Sequence, residues 1–317
     1  MNLGTIGRSD ATEKLKQEAA AKLDEYNQKS TEQAHQERVQ ELQEYNRTAG
    51  HGFLPIKVSD LPSKGLFYPE GTRVNIKAAT LGDIKHWSAT DETDLTSIDE
   101  ALNNILESCC FVSFPEETGR YANWKDLKEI DRLYIILAIH DFTFPGNNNA
   151  LKIQVAETKD VVLKKDNVEF IKLNDKLMKF YNHDKRCFSF PVKAKCYESG
   201  YMDIYIPNQG VTKWIRDYVT TRLNRQEGYD KDFASIAALL IPDYRGLNND
   251  KYYELIDFTA NWTPYEWALI TKVRRIIETA VTPVFKYKDE GGMERESPLN
   301  FRGGIKAIFQ PSLDLDL

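Results

Sequence analysis

The sequence predicts an α+β fold: helical N-terminal and C-terminal parts flank a small antiparallel β-subdomain, behind a long N-terminal helical arm. Three observations predict it. Residues 10–48 hold no Pro or Gly and are rich in Ala, Glu, Gln and Lys, which are helix formers. Between Leu151 and Pro207 the apolar residues alternate with period two, as in "LKIQVAE" and "YMDIYIP". On either side they recur at helical spacing, with Thr or Asn standing where helices would begin. The 317 residues divide into a polar arm (1–50), a helical region with an entry strand (51–147), the β-subdomain (148–208), a helical C-terminal region (209–288) and an extended tail (289–317).

The arm carries two thin apolar stripes, Leu15, Ala19, Leu23 and Tyr26, then Val39, Leu42 and Tyr45. The wholly polar "NQKSTEQ" separates them and breaks any heptad. A helix this polar has little to hold it in isolation. It is either a solvated arm or one that docks on a partner subunit. "AGHG" (49–52) ends it, and "LPSKGLFYPEG" follows. In that stretch Leu61, Pro62, Ser63, Lys64, Gly65, Leu66, Phe67, Tyr68 and Pro69 form a rigid, sticky lead-in. Its prolines restrict the chain before folding and its glycines supply turns. Leu66, Phe67 and Tyr68 are expected to lid the helical core. Lys64 and the ring edges are candidate contacts to a neighbour.

"VNIKAAT" is a short strand. Thr80 with Asp83 marks a capping box, and Thr96 with Asp99 repeats the spacing. Ile98, Leu102, Ile105, Leu106 and Cys109 share one face of the second helix. Asn123 is expected to cap "WKDLKEIDRLYIILAIHDF", with Leu127, Ile130, Leu133, Tyr134, Leu137 and Ala138 as its apolar face. Asp131 and Arg132 stand within that apolar helix and need partners, as an ion pair or hydrogen-bond anchor. These helices are expected to pack as a small bundle.

"FPGNNNA" (144–150) is a turn-rich break. "CFSFPVKAKCY" and "YMDIYIP" form a hairpin around "ESG", while the segment from Lys165 to Arg186 fits strand and helix equally. Four helices follow: "VTKWIRDYVTTRLN", "KDFASIAALLIPDY" stopped by Pro242, "DKYYELIDFTANW", and "TPYEWALITKVRRIIETA". The last has Thr263 as cap, Pro264 in the first turn and Glu266 closing a capping box. The tail, "NFRGGIKAIFQPSLDLDL", is apolar but broken by Gly and Pro. Such a tail lies along a partner or its own domain.

Composition narrows the function. With 42 Lys and Arg against 48 Asp and Glu, the net charge is −6, so no global basic field attracts nucleic acid. Only Lys272, Arg274 and Arg275, or Arg216, Arg222 and Arg225, offer a local patch. No apolar run approaches the roughly 20 residues of a membrane span, and the N-terminus lacks a signal-peptide core. No phosphate loop, nucleophile elbow or zinc-protease helix is present, and "EGG" (290–292) and "RGG" (302–304) suit turns. His140 and His183 each adjoin an Asp without making a triad. Asp91, Glu92 and Asp94 suit a solvated loop and a helix N-terminus better than a cation site. Cys109 and Cys110 fit buried free thiols. His183, Cys187 and Cys196 are the one group close enough in sequence to suggest a metal, without the short spacing of zinc sites. No catalytic residue or cofactor is assigned.

"LPSKGLFYPEG", then "VNIKAATLGDIKHWS", then a helix ending "NNILESCC", then "LKEIDRLYIILAIHDFTF" follow in an order that resembles the baseplate hub subunit and hub-assembly family of T-even-like, contractile-tailed bacteriophages. The resemblance covers about residues 54–207. Relatives carry a close cysteine pair in the β-segment, whereas Cys187 and Cys196 are nine apart here. Relatives also tend to have arginine where this chain has His140. The resemblance implies a non-enzymatic structural or assembly subunit of a phage tail baseplate. It would reside in the virion after assembly in the host cytoplasm, and contact other tail proteins through the arm and the C-terminal tail. A transient assembly chaperone absent from the mature virion is the alternative. A nucleic-acid-binding accessory protein is a weaker one.

Overall fold

The computed structural model describes residues 52–144, 151–156, 159–163, 168–170, 173, 175–289, 291–299, 301 and 304–309. The arm, most of "FPGNNNA" and the last eight residues lie outside them.

The described chain is α+β, as its periodicities predict. It organises around two hydrophobic cores. The first begins with an antiparallel sheet in the order β1-β2-β3, formed by Leu54–Ile56, Arg73–Ile76 and Cys110–Ser113. Two helices, α1 (Leu81–Ser88) and α2 (Leu95–Cys109), are strung between β2 and β3. Helix α3 (Arg132–Thr143) and the hairpin β4 (Lys152–Ala156) and β5 (Lys159–Val162) complete this part. The expected entry strand is thus β2, the centre of a small sheet, and the helices pack on that sheet where a bundle was expected. Helix α2 runs straight into β3 at Cys110, where Phe111 and Val112 favour strand over further helix.

Thr80 and Asp83 form the expected capping box. The second expected device is corrected. Asp94 caps α2, accepting from Thr96 N at 3.0 Å and Ser97 N at 3.1 Å, so Thr96 is already helical and Asp99 is free for other partners. Asn123 also caps less than expected. It closes one 3₁₀ turn (Trp124–Asp126) with Asp126, and the chain then extends at Leu127. Helix α3 starts only at Arg132, its buried apolar residues being Ile135, Ile136, Leu137 and Ile139. Leu133, Tyr134 and Ala138 sit at the margin of the core.

The second core gathers β7 (Tyr181–Asn182), β8 (Cys187–Pro191) and β9 (Tyr201–Ile204) as one antiparallel sheet. Against it pack α4 (Asp175–Met178), α5 (Gln209–Asn224), α6 (Lys231–Leu240), α7 (Asn249–Thr259) and α8 (Pro264–Val281). Thr263, Pro264 and Glu266 begin α8 as predicted. Strand β8 stops at Pro191, which has no N–H to continue a ladder, so residues 192–200 form a loop longer than "ESG". Gly210 lets α5 pass its neighbour: a Cβ there would meet Tyr244 Cδ1 at 2.3 Å. The strands expected in one β-subdomain thus serve both cores, with β4–β5 on the first and β7–β9 on the second.

After α8 the chain returns to the first core. Strand β10 (Val284–Lys288) pairs with β11 (Glu294–Pro298) and with β6 (Val168–Glu169). Strand β10 thus replaces the end of the expected helical region, and β11 the start of the expected extended tail. Cross-strand pairs such as Lys286 opposite Glu296 and Lys288 opposite Glu294 support the hairpin, and Asp289 accepts from Gly291 N and Met293 N in its turn. Phe301, Ile308 and Phe309 are buried in the first core, and Trp87 meets Phe309 edge-on at 5.3 Å. The described part of the tail lies on its own domain. Core one therefore takes its residues from 54–170 and 285–309, with residues 173–281 inserted between.

Candidate functional site

The predicted motif residues converge on the junction between the two cores. Turns at Lys64 N to Leu61 O (2.8 Å), Leu66 N to Ser63 O (3.2 Å) and Tyr68 N to Gly65 O (3.2 Å) coil the entry stretch tightly. Lys64 (φ 54°) and Gly65 (φ 78°) take left-handed conformations, costly for the lysine and free for the glycine. The coil sends neighbouring side chains opposite ways. Leu61 and Tyr68 enter the first core, whereas Phe67 enters the second with Leu66 beside it. The expected lid on the first core is therefore made by Tyr68 alone: Leu66 and Phe67 cover the second core, and the stretch bridges the two. Phe67 stands edge-on to Tyr181 (5.7 Å) and Phe188 (5.6 Å), and Tyr181 donates its hydroxyl to Leu66 O. Phe67 and Tyr68 are 4% and 3% exposed, so neither ring edge is offered to a neighbour; only Lys64 is.

Asp131 is the anchor of this junction. It is 0% exposed and stands just ahead of α3, with Arg132 as the helix's first residue. Its Oδ1 accepts from Ser63 N at 2.8 Å and its Oδ2 from the Tyr68 hydroxyl at 2.7 Å. The same hydroxyl accepts from Lys128 N at 2.8 Å. Burial pushes the Asp131 carboxyl up to about 6, against these hydrogen bonds and the nearby Lys128 charge. Burial also lowers the Lys128 ammonium to about 8, although Asp126 and Asp131 pull the other way. Burial raises the Tyr68 phenol well above its ordinary value, so it stays a donor. Lys128 Nζ reaches Ile206 O at 3.2 Å, and main-chain bonds join Glu129 N to Pro207 O and Gln209 N to Leu127 O, each at 2.9 Å. These ties hold Leu127 and Lys128 extended between the first 3₁₀ turn and a second one (Glu129–Asp131) that leads into α3, which is why Asn123 cannot start the whole helix.

Asp131 and Arg132 do not pair with each other. Arg132 binds Asp99 at 2.8 Å and Asn103 Oδ1 at 3.1 Å, and Arg216 from α5 shares Asp99 at 2.7 Å. Further along, Arg245 grips Asp126 with two bonds of 2.7 and 2.6 Å and donates to Tyr121 O. Arg120 pairs with Asp243. Two cores are thus joined by an aromatic knob and a row of ion pairs. The arrangement positions backbone and side chains; it presents no open nucleophile or base.

The other candidates separate. Cys187 is buried near Ser189, Cys196 lies by Asn261 O at 3.9 Å, and His183 packs on the Tyr181 ring. Among the described residues no group of three His, Cys, Asp or Glu could hold a metal. Cys109 and Cys110 are buried free thiols pushed up to about 12 by desolvation, which makes them poor nucleophiles at neutral pH. His140 is buried beside Asp141, with its ring against Phe144 and Phe309. Glu92 accepts from Lys306 N at 2.7 Å, Asp91 closes a loop on Thr93, and Asp94 caps α2. Of the basic clusters, Arg216, Arg222 and Arg274 have carboxylate partners in Asp99, Glu227 and Glu278.

Sequence reasoning missed Ser63, Lys128, Asp126 and Arg245 as partners. The usable signal was a charge inside an apolar segment, which demands a partner without saying which. No described helix is long and apolar enough to cross a membrane. No protein-family model, curated protein or solved structure matches the chain.

Proposed function

We propose that the chain is a non-enzymatic structural or assembly subunit of a contractile phage tail baseplate, in the hub region, working through protein–protein contacts. The order of the entry stretch, strand and helices that resembles that family motivates the reading. The observation that supports it best is the use made of the motif. Ser63, Tyr68 and Asp131 bond one another and Arg132 bonds Asp99 and Asn103 inside the junction, so the motif stiffens a body and leaves its surfaces to meet neighbours. A stiff body with several separate contact patches gains affinity in an assembly through effective concentration.

Mass spectrometry of purified tails and of assembly intermediates tests the reading. Presence in finished particles at fixed stoichiometry supports a structural subunit; presence only in intermediates supports a transient assembly factor. Absence from both contradicts the proposal. Deleting residues 1–48 is expected to block incorporation, and normal incorporation would remove the arm as the docking element.

A further inference from the structure

Aromatic rings gather where the loop 192–200 of the second core meets the start of α8, and that loop carries two exposed lysines. The loop 192–200 meets the start of α8 through Ala194 N donating to Glu266 Oε1 at 3.3 Å. Lys193 and Lys195 flank Ala194, and both are exposed. Tyr265 and Trp267 flank Glu266, and are 58% and 38% exposed. Glu266 itself is buried, its carboxylate taken by Thr263 and Ala194, so it adds no accessible negative charge. Behind these rings Trp262 lies 6.4 Å from Trp267 and 6.3 Å from Tyr197, and Tyr197 stands edge-on to Phe258 at 5.2 Å. Glu198, exposed in the same loop, offsets one of the two lysines.

Half-exposed Trp and Tyr on a stiff helix start are the residue types that concentrate binding energy, because they bury large area at little entropic cost. Such a surface fits a segment that alternates apolar and acidic residues, with the apolar ones against the rings and the acids toward Lys193 and Lys195. The chain carries one such segment. Residues 313–317 read "LDLDL". Phe309, eight residues before the end, is fixed in the first core against Trp87, so the segment departs from the core that lacks the aromatic end. We propose that the Leu-Asp segment (311–317) of a second copy docks on the surface made by Trp267, Trp262, Tyr197 and the loop that carries Lys193 and Lys195, linking copies head to tail. A heterologous contact of this kind forms rings or open chains. The inference stands on the surface and the tail alone, so it does not fall if the baseplate reading does.

Sedimentation of the full-length protein across a concentration series tests it, alongside binding of a fluorescent peptide with the sequence of residues 310–317. Concentration-dependent association is expected, and deleting residues 311–317 should abolish it. Trp267→Ala should weaken peptide binding by about tenfold or more, the scale of an interface anchor. Lys193→Glu with Lys195→Glu should weaken it, and a peptide carrying Asp314→Lys and Asp316→Lys should recover binding to that variant. Far-ultraviolet dichroism and the thermal unfolding midpoint of each variant must match the parent, so that misfolding is not read as lost binding. Three results would overturn the proposal: association unchanged by the deletion, peptide binding indifferent to Trp267→Ala, or a monomer whose Trp267 fluorescence changes on deletion. The last would place the tail on its own copy.

Discussion

The junction around Asp131 and the aromatic end around Trp267 use the same residue types to opposite effect. Both combine aromatic rings with lysine and a buried carboxylate. At the junction the rings are enclosed, and the polar groups around Asp131 find partners on other segments: Ser63 and Tyr68 on Asp131, Lys128 on Ile206. At the aromatic end Glu266 is equally buried and satisfied, but the rings and lysines around it face outward. The difference teaches that composition does not decide between holding a fold and meeting a neighbour. What decides is whether a distant part of the same chain comes back to cover the residues.

That contrast can be broken by substitution. The largest effect is expected at Phe67, the only ring of the entry stretch in the second core. Phe67→Ala should cost about 3–5 kcal/mol in denaturant unfolding. Asp131→Ala comes next, stranding Ser63 N and the Tyr68 hydroxyl; a loss of about 2–4 kcal/mol is expected, near the range for uncovered buried donors. Gly210→Ala forces a methyl into the Tyr244 ring and should cost about 1–3 kcal/mol. Trp267→Ala should change stability by only about 0.5 kcal/mol, as for a surface site. A large loss there would mean that the aromatic end belongs to the core, and the comparison would fail.

The junction also predicts an unusual pH response. The Asp131 carboxyl is raised from 3.8 to about 6 in the folded chain. A raised carboxyl favours the folded state while protonated. Its contribution is therefore full below about pH 4 and is lost as pH rises through about 6. Asp99 and Asp83 are lowered and act in the opposite sense. The Asp131 contribution is read as the difference between parent and Asp131→Asn stability curves. That difference should shift between pH 4 and 6, and a flat difference would mean that Asp131 titrates as an ordinary carboxylate.

Much of the second core was legible because its signals are local. Thr263, Pro264 and Glu266 lie within four residues and announce α8 without reference to anything distant. The first core was harder to read. Its sheet needs Leu54, Ile76 and Cys110 side by side, and β3 is hidden at the end of a helical pattern. Its last contributors, Phe301 to Phe309, arrive after an insertion of more than a hundred residues. The site shows the same divide. Asp131 was legible as a charge in an apolar setting, but Ser63 and Tyr68 lie 68 and 63 residues away from it. No local pattern specifies such pairs.

The central claim is that the entry stretch joins the two cores and does not present its rings to a neighbour. Phe67→Ala, measured both for equilibrium unfolding and for incorporation into the proposed tail assemblies, tests it most directly. A loss of about 3–5 kcal/mol in unfolding free energy is predicted, with any assembly defect following from it. A protein as stable as the parent that nevertheless fails to assemble would contradict the claim.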